Sequence, residues 1–520
     1  MPPTLTYPGV YIEELPSGVH TITGVATSIA AFVGWAPQGS VSEAVLVQSW
    51  MDFARKLGGL DSRSYLGYSV NQFFGNGGQQ AYIVRLVWTD AATAKTAVGG
   101  LTLFASSPGQ WANNFKVVIS QVTATTFTLQ VQDASSNPLE TFPNLTATSA
   151  IPIIDNDSQY VTFVDPTTNP PAAPTSITVP GAAGSGTLAG GADGEVLQPM
   201  DGISGNGHFE TALNISGALV NGALYGVRLL DLVDIFNLLC VPGETDETTI
   251  GELEKYCTSN LAGGTNPKAY GSFYLVDCPQ TATFDSLNTK GPVGAAIVGL
   301  PNVNPDHAAY YFPWIQAPDP LASNRPRLFP PCGFIAGIYA ATDATRGVWK
   351  APAGIDAGLA GESGLQYVLT DLQNGSLNIQ AINCLREFKV YGDVVWGART
   401  LQGSDQAASQ WKYIPIRRLA LFLEASLYDG TQWVVFEPND ERLWGQIRLN
   451  VGAFMQGLFL QGAFQGTSPQ QAYFVKCDAE NNPQSSIDMG IVNVLVGFAP
   501  LYPAEFVVIQ IQQMAGQLQT

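Results

Sequence analysis

The stretch GVATSIAAFVGWAP, residues 24–37, decides the fold together with SWMDFARKLGG (49–59), SYLGYSVNQFFGNGG (64–78) and AYIVRLV (81–87). The first segment is an apolar run ended by Pro37 and reads as a buried strand. The next two read as helices, one stopped by Gly58 and the other by Gly75 and Gly77, and the last is a strand again. Strand and helix alternating at this interval indicate a layered α/β unit with parallel pairing.

Outward from this stretch the same texture returns in LYGVRLLDLVDIFNLLCVPG (224–243), SFYLVDCP (272–279), VGAAIVGL (293–300) and GFIAGIYAATD (333–343), which complete the α/β layer. Between them, from about residue 91 to 194, the composition shifts to Thr, Ser, Ala, Gly and Pro with short β runs such as FKVVIS, TFTLQVQ and YVTFV. This reads as an all-β insertion. No Lys or Arg lies between Lys116 and Arg228, against nine acids, so an acidic, solvent-facing surface is expected there. The glycine-rich run GAAGSGTLAGGADGE (181–195) has no Gly-Lys-Ser/Thr after it and reads as a connection rather than a phosphate cradle.

A third unit is expected from about Leu385. It holds nine bases and twelve acids, whereas the chain up to Cys384 holds fourteen and thirty. Within it, NDERLWGQIRLNVGAFMQGLF places Leu443, Ile447, Val451, Phe454 and Leu458 at helical spacing, with Asn439 or Asp440 as the cap. Arg442, Gln446 and Asn450 are left on its polar side. Each end of the chain carries a lone strand pattern: Val10, Tyr11, Ile12 and Glu13 within TYPGVYIEELPSGV (6–19), and Phe506, Val507, Val508, Ile509 and Ile511 within AEFVVIQIQQ (504–513). Lone strands leave backbone donors and acceptors that pairing with another chain would satisfy.

Composition limits the function. With 520 residues, 46% hydrophobic and 12% charged, the chain can bury large cores, and its net charge of −19 argues against wrapping nucleic acid or binding an anionic membrane surface. Six scattered cysteines show no zinc or disulfide spacing and fit reduced thiols in a cytoplasm. The first 19 residues have neither a basic start nor an apolar core, so no signal peptide is expected. No membrane span is expected either, because the most apolar late run, 491–511, is broken by Asn493, Pro500, Pro503 and Glu505.

Catalytic motifs are not found. The sequence has no GxSxG elbow and no HExxH helix, and its histidines are His20, His208 and His307. Asp201, Ser204 and His208 in DGISGNGH are close in sequence, but a glycine-rich loop is a weak pointer to a triad. Glu244, Asp246 and Glu247 read as solvated helix capping rather than metal ligands. No catalytic residue, metal site or cofactor is expected. Arg346, Trp349 and Lys350 in RGVWKAP suit a domain junction or subunit contact, or a local turn holding Trp349 over its own core. Arg417 and Arg418, between Ile416 and Leu419, would pair across an interface or flank a core strand.

The opening YPGVYIEE, the segment VPGE, ATDATRGVWKAPAG (341–354), VVWGARTL (394–401), YIPIRRLALFLEASL (413–427), FEPNDERLW with QAYFVKCD, and FFGNGGQQAYIVRLV with APLYPAEFVVIQI resemble contractile tail sheath proteins. The β-rich insertion matches only loosely, around GQWANNFKVVIS and ETFPNLTA. The resemblance implies a structural, non-enzymatic subunit of a bacteriophage tail or a related injection particle, stacked as rings in a helix around an inner tube. It implies a subtilisin-like layered α/β domain, an inserted β-sandwich or barrel, and an α+β C-terminal domain with exchanged terminal strands. The expected organisation is an N-terminal arm (1–23), an α/β domain built from two separated segments (24–90 and 200–384), a β-rich outer domain inserted between them (91–199), and the C-terminal domain (385–520). The implied partners are further copies of the chain, an inner tube protein, and baseplate and terminal cap proteins, with no direct contact to nucleic acid or membrane. Synthesis is expected in a bacterial cytoplasm and assembly in a virion tail or injection particle.

Overall fold

The computed structural model describes residues 20–166, 174, 176–199, 207–219, 223–259, 265–268, 270–290 and 305–510. The chain divides into two compact units, residues 26–421 and residues 1–25 with 422–520. The boundary therefore falls at 421/422 rather than at 385, and the strands just after Ile382 belong to the main sheet.

That sheet has eight strands: β1 (Ala30–Trp35), β2 (Val45–Val47), β3 (Ala81–Leu86), β4 (Leu238–Cys240), β5 (Phe273–Asp277), β6 (Ala308–Phe312), β7 (Ile382–Phe388) and β8 (Gly392–Val395). Their spatial order is β8-β7-β6-β5-β4-β1-β3-β2. The six inner strands pair in parallel, while β2 and β8 are antiparallel edges. Successive residues of a strand point to opposite faces. Ala31, Val33 and Trp35 accordingly enter one core, and Ala30 and Phe32 the other. A sheet buried on both faces explains the unbroken apolar runs.

On the second face lie helices α1 (Trp50–Leu57), α2 (Leu66–Gly75) and, later in the chain, Cys332–Arg346. Ser49 caps α1, accepting from Asp52 N–H at 3.1 Å, and Gly58 ends it at φ +90°. The first face is covered by α3 (Glu247–Cys257), through Ile250, Leu253, Tyr256 and Cys257. Cys332–Arg346 is α4; its Gly333 and Gly337 lie against the α2 backbone, where a Cβ would come within 2.5 Å of Ser69 O and Asn76 Cβ. The Leu-rich segment before VPGE is a 3-10 turn, Gly226–Leu232, leading into β4, and not an α-helix. VGAAIVGL lies outside the described residues.

Between β3 and β4 the chain builds a four-stranded and a three-stranded sheet over one core that includes Leu103, Val117, Leu129, Ile154 and Leu188. The insertion is not all-β, because Ala150–Asp157 forms a helix whose Ala150 and Ile154 enter that core.

Later in the main unit lie the helices α5 (Asp371–Asn378) and α6 (Ile414–Gly430), and the unit boundary falls within α6. The smaller unit contains α7 (Glu441–Leu460) and a two-stranded antiparallel pair, β9 (Tyr473–Lys476) and β10 (Leu495–Phe498). Asp440 caps α7, accepting from Leu443 N–H at 3.0 Å. Leu443, Trp444, Ile447, Val451, Met455 and Leu458 form the buried face.

Candidate interaction sites and buried charge networks

Arg417 and Arg418 sit on α6, not beside a strand. Adjacent helical residues point about 100° apart, so the two guanidiniums reach different partners. Arg418 is buried and grips Asp343 with two hydrogen bonds of 2.9 and 2.6 Å, donates to Thr27 O at 2.8 Å and lies 4.6 Å from the Tyr339 ring. The carboxylate holds the Arg418 guanidinium above its usual range although burial opposes this.

Arg417 donates to His307 Nε2 at 2.7 Å and pairs with Asp306 Oδ2 at 3.2 Å. An arginine can only donate, so Nε2 accepts and Nδ1–H of His307 donates to Asp306 Oδ1, 3.0 Å away. Glu254, Asp306 and His307 are all buried and offer ligand atoms within 4.8 Å of one another. Both imidazole nitrogens are nevertheless committed to Arg417 and Asp306, so the geometry is that of an ion-pair network rather than a metal centre. Both arginines thus serve their own subunit.

Arg346, Trp349 and Lys350 lie together at the end of α4 and in the turn that follows it. Arg346 pairs with Asp356 at 3.6 Å, both exposed. Trp349 packs over Gly347 (φ +84°), where a Cβ would come within 2.4 Å of the indole. Lys350 Nζ donates to Ala351 O and Ala353 O at 2.8 and 3.2 Å, and burial lowers its pKa.

On α7, Arg442 is exposed and Gln446 half-buried, but Asn450 is 2% exposed, and neither atom of its amide has a hydrogen-bond partner. Asn450 therefore leaves the expected polar face. Exposed Leu449 and Leu460 instead share the outer stripe with Arg442. Val10, Tyr11, Ile12, Glu13 and Ile511 lie outside the described residues. Phe506, Val507, Val508 and Ile509 are 73 to 81% exposed and are in no strand of their own chain.

Asp201 and Ser204 also lie outside the described residues. His208 stacks on Trp88 at 3.8 Å, with Nδ1 2.7 Å from Glu195 Oε2. Asp246 does cap α3, accepting from Thr249 N–H at 2.8 Å, but Glu244 is fully buried and not solvated. At the C-terminal ends of β1 and β4, where the strand order reverses, is a small pocket of about 10 Å³, room for about one water molecule, lined by Trp35, Ser64, Tyr65, Leu197, Phe209 and Pro242. Its lining is largely apolar, and Ser64 spends its hydroxyl on Trp35 O at 2.8 Å.

Sequence reasoning missed Arg85. It is buried within β3 and donates to the carbonyls of Ala36, Gly39, Pro37 and Pro108 at 2.7 to 3.1 Å. Burial lowers its pKa, while Asp193 acts in the opposite direction. Asp193 also accepts from Gln110 N–H at 2.8 Å and pairs with Arg63 at 3.0 Å. This knot ties the root of the insertion to the end of β1. A lone charge inside the apolar strand AYIVRL was its only signal.

The fold is similar to that of a contractile sheath protein. Over 98% of both chains, at 24% identity and a TM-score of 0.57, the structure is similar to the sheath complex of an extracellular contractile injection system (PVC) in its contracted state. Residues 406–514 match the family model described as the phage tail sheath C-terminal domain. The tail sheath protein of Vibrio phage KVP40 is 30% identical over 167 residues, which are 32% of this chain and 24% of that protein. A putative prophage major tail sheath protein of Pseudomonas aeruginosa is 28% identical over 196 residues, 37% of this chain and 48% of that protein. These matches span about a quarter and about half the length of the two curated relatives. Homologues and structural neighbours are thus sheath proteins of phage tails and of a phage-like injection system.

Proposed function

We propose that the chain is the subunit of a contractile sheath, polymerising as stacked rings around an inner tube and contracting to drive that tube through a target envelope. The observation that carries this reading is the exposed apolar row Phe506–Ile509 at the end of a segment matching the sheath C-terminal domain. Such a row, in no strand of its own chain, suits β-augmentation of a neighbour. Val10 to Glu13 and Phe506 to Ile511 are the strands assigned to neighbouring copies. Head-to-tail exchange is heterologous and propagates into a helix instead of closing as a dimer.

The particle is a bacteriophage tail or an injection system made in a bacterial cytoplasm. The other partners are the inner tube, met by the α7 face bearing Arg442 and Gln446, and baseplate and cap proteins. The α/β unit takes a subtilisin-like layout without hydrolase chemistry, and fold does not carry function. The acidic insertion faces solvent. Deleting residues 1–19 tests the reading: the expected product is folded, melts nearly as before and forms no tubes or sheaths. Ordered contractile sheaths from the truncated chain, or its outright unfolding, would remove the arm from the intersubunit role.

A further inference from the structure

Within the smaller unit, residues 20–25 run beside the end of α6 and the 3-10 turn that follows it, Gln432–Val434. Val25 N–H donates to Ser426 Oγ at 3.2 Å, Ile22 is buried against Gly430, and the His20 ring stacks on Trp433 with centroids 4.2 Å apart. Residue numbers fall on one segment as they rise on the other. Toward its N-terminus the chain therefore heads along the loop that continues after Trp433. Residues 1–19 lie outside the described residues.

That loop presents Val435, 58% exposed, and Phe436, whose side chain is fully exposed. Phe436 also holds φ at +71°, a conformation that is costly for a bulky residue, and no packing of its ring against the described residues offsets that cost. The turn around it is fixed: Val435 N–H donates to Gln432 O at 3.3 Å, Glu437 N–H to Val434 O at 3.1 Å, and Asn439 Nδ2 to Ile491 O at 3.0 Å. A rigid backbone that holds an aromatic ring outward is pre-organised to be covered, because little freedom remains to be lost. Beside it, the Trp433 indole N–H is buried with no acceptor among the described residues.

We propose that the segment just before His20, Leu15 to Val19, packs over Val435 and Phe436 of its own chain and clamps the root of the N-terminal segment there. Leu15, Pro16 and Val19 supply the apolar cover, and a backbone carbonyl of the segment supplies the acceptor for Trp433 Nε1. Reach permits this: five extended residues span about 17 Å, whereas Phe436, three residues after Trp433, lies within about 11 Å of it. The arm then leaves the unit at Glu14, which gives residues 10–13 a fixed point of departure. The contact lies within one chain and does not depend on whether residues 10–13 reach a neighbour.

Hydrogen exchange of the full chain, read by mass spectrometry on peptides covering residues 12–20, tests the clamp. In dilute protein the amides of Ser17, Gly18 and Val19 should exchange about tenfold or more slower than their intrinsic rates. Phe436→Ser should remove that protection, and Phe436→Leu should retain most of it. The Phe436 ring is fully exposed, so both variants should fold. Wild-type amides exchanging at intrinsic rates, or equal protection in the wild type and Phe436→Ser, would overturn the clamp. So would protection that appears only as protein concentration is raised, because the cover would then come from another copy.

Discussion

Glu244 has no exposed surface; Oε1 accepts from Asp246 N–H at 2.8 Å, and Oε2 has no hydrogen-bond partner. Burial pushes this carboxyl up to about 8, with Glu210 and Asp246 adding repulsion. Asp277, at the end of the next strand, accepts from Gly243 N–H at 3.0 Å and Cys332 N–H at 2.8 Å, and burial pushes it up to about 6. A folded pKa above the unfolded one means that the native state holds the proton more tightly. Its contribution to stability is complete below the unfolded pKa and is lost as pH rises through the folded one. Melting temperature should therefore decline from about pH 5 to pH 8, and Glu244→Gln should flatten the upper part of that decline. A parallel decline in wild type and variant, followed by calorimetry, would assign the effect elsewhere. VPGE did not disclose this burial, because a turn beside a strand end looks the same in sequence whether or not a neighbouring layer covers it.

Among the elements, α7 was the most legible. Its apolar residues recur every three or four positions, and the structure buries Leu443, Ile447, Val451 and Leu458, leaving Phe454 half-buried. Its outward face carries Arg442 with Leu449 and Leu460. If that face meets the tube, Arg442→Glu should weaken attachment to purified tube, more strongly at low salt where screening is least. Co-sedimentation at two salt concentrations checks this, and unchanged attachment would remove Arg442 from the interface. Asn450 shows where periodicity stops being informative: helical spacing assigns a sector but not how far neighbours wrap around it. The α6 segment was harder to read, since IPIRRLALFL is apolar enough for a buried strand, and its two arginines find Asp306, His307 and Asp343 only through distant chain segments. A boundary at 385 rests on a change in charge balance, which reports surface composition and not strand pairing. β7 joins the sheet through Tyr310, Tyr311 and Phe312 of β6, contacts no local signal announces.

At the scale of the whole molecule, the insertion is tied to the sheet by Arg85 and Asp193. Arg85→Ala would leave four carbonyls without their donor inside the protein, each costing about 1 to 3 kcal/mol. The variant should lose at least about 3 kcal/mol in denaturant titration and gain protease cleavage near residues 106–110 and 189–194. Wild-type stability with unchanged cleavage would show the knot to be dispensable. The central pairing has a different consequence, in time. Ile29 and Asn237, where β1 meets β4, are 208 residues apart. At about 5 to 20 residues per second, a ribosome needs roughly 10 to 40 s to deliver the second strand after the first. Through that interval β1 can pair with β3 on one side while its other edge waits, although the insertion, whose core closes on itself, can already fold. The nascent chain therefore carries an open, strongly apolar sheet edge until more than two-fifths of its length has been made, and guarding that edge becomes a task for the synthesis machinery and not for the finished fold.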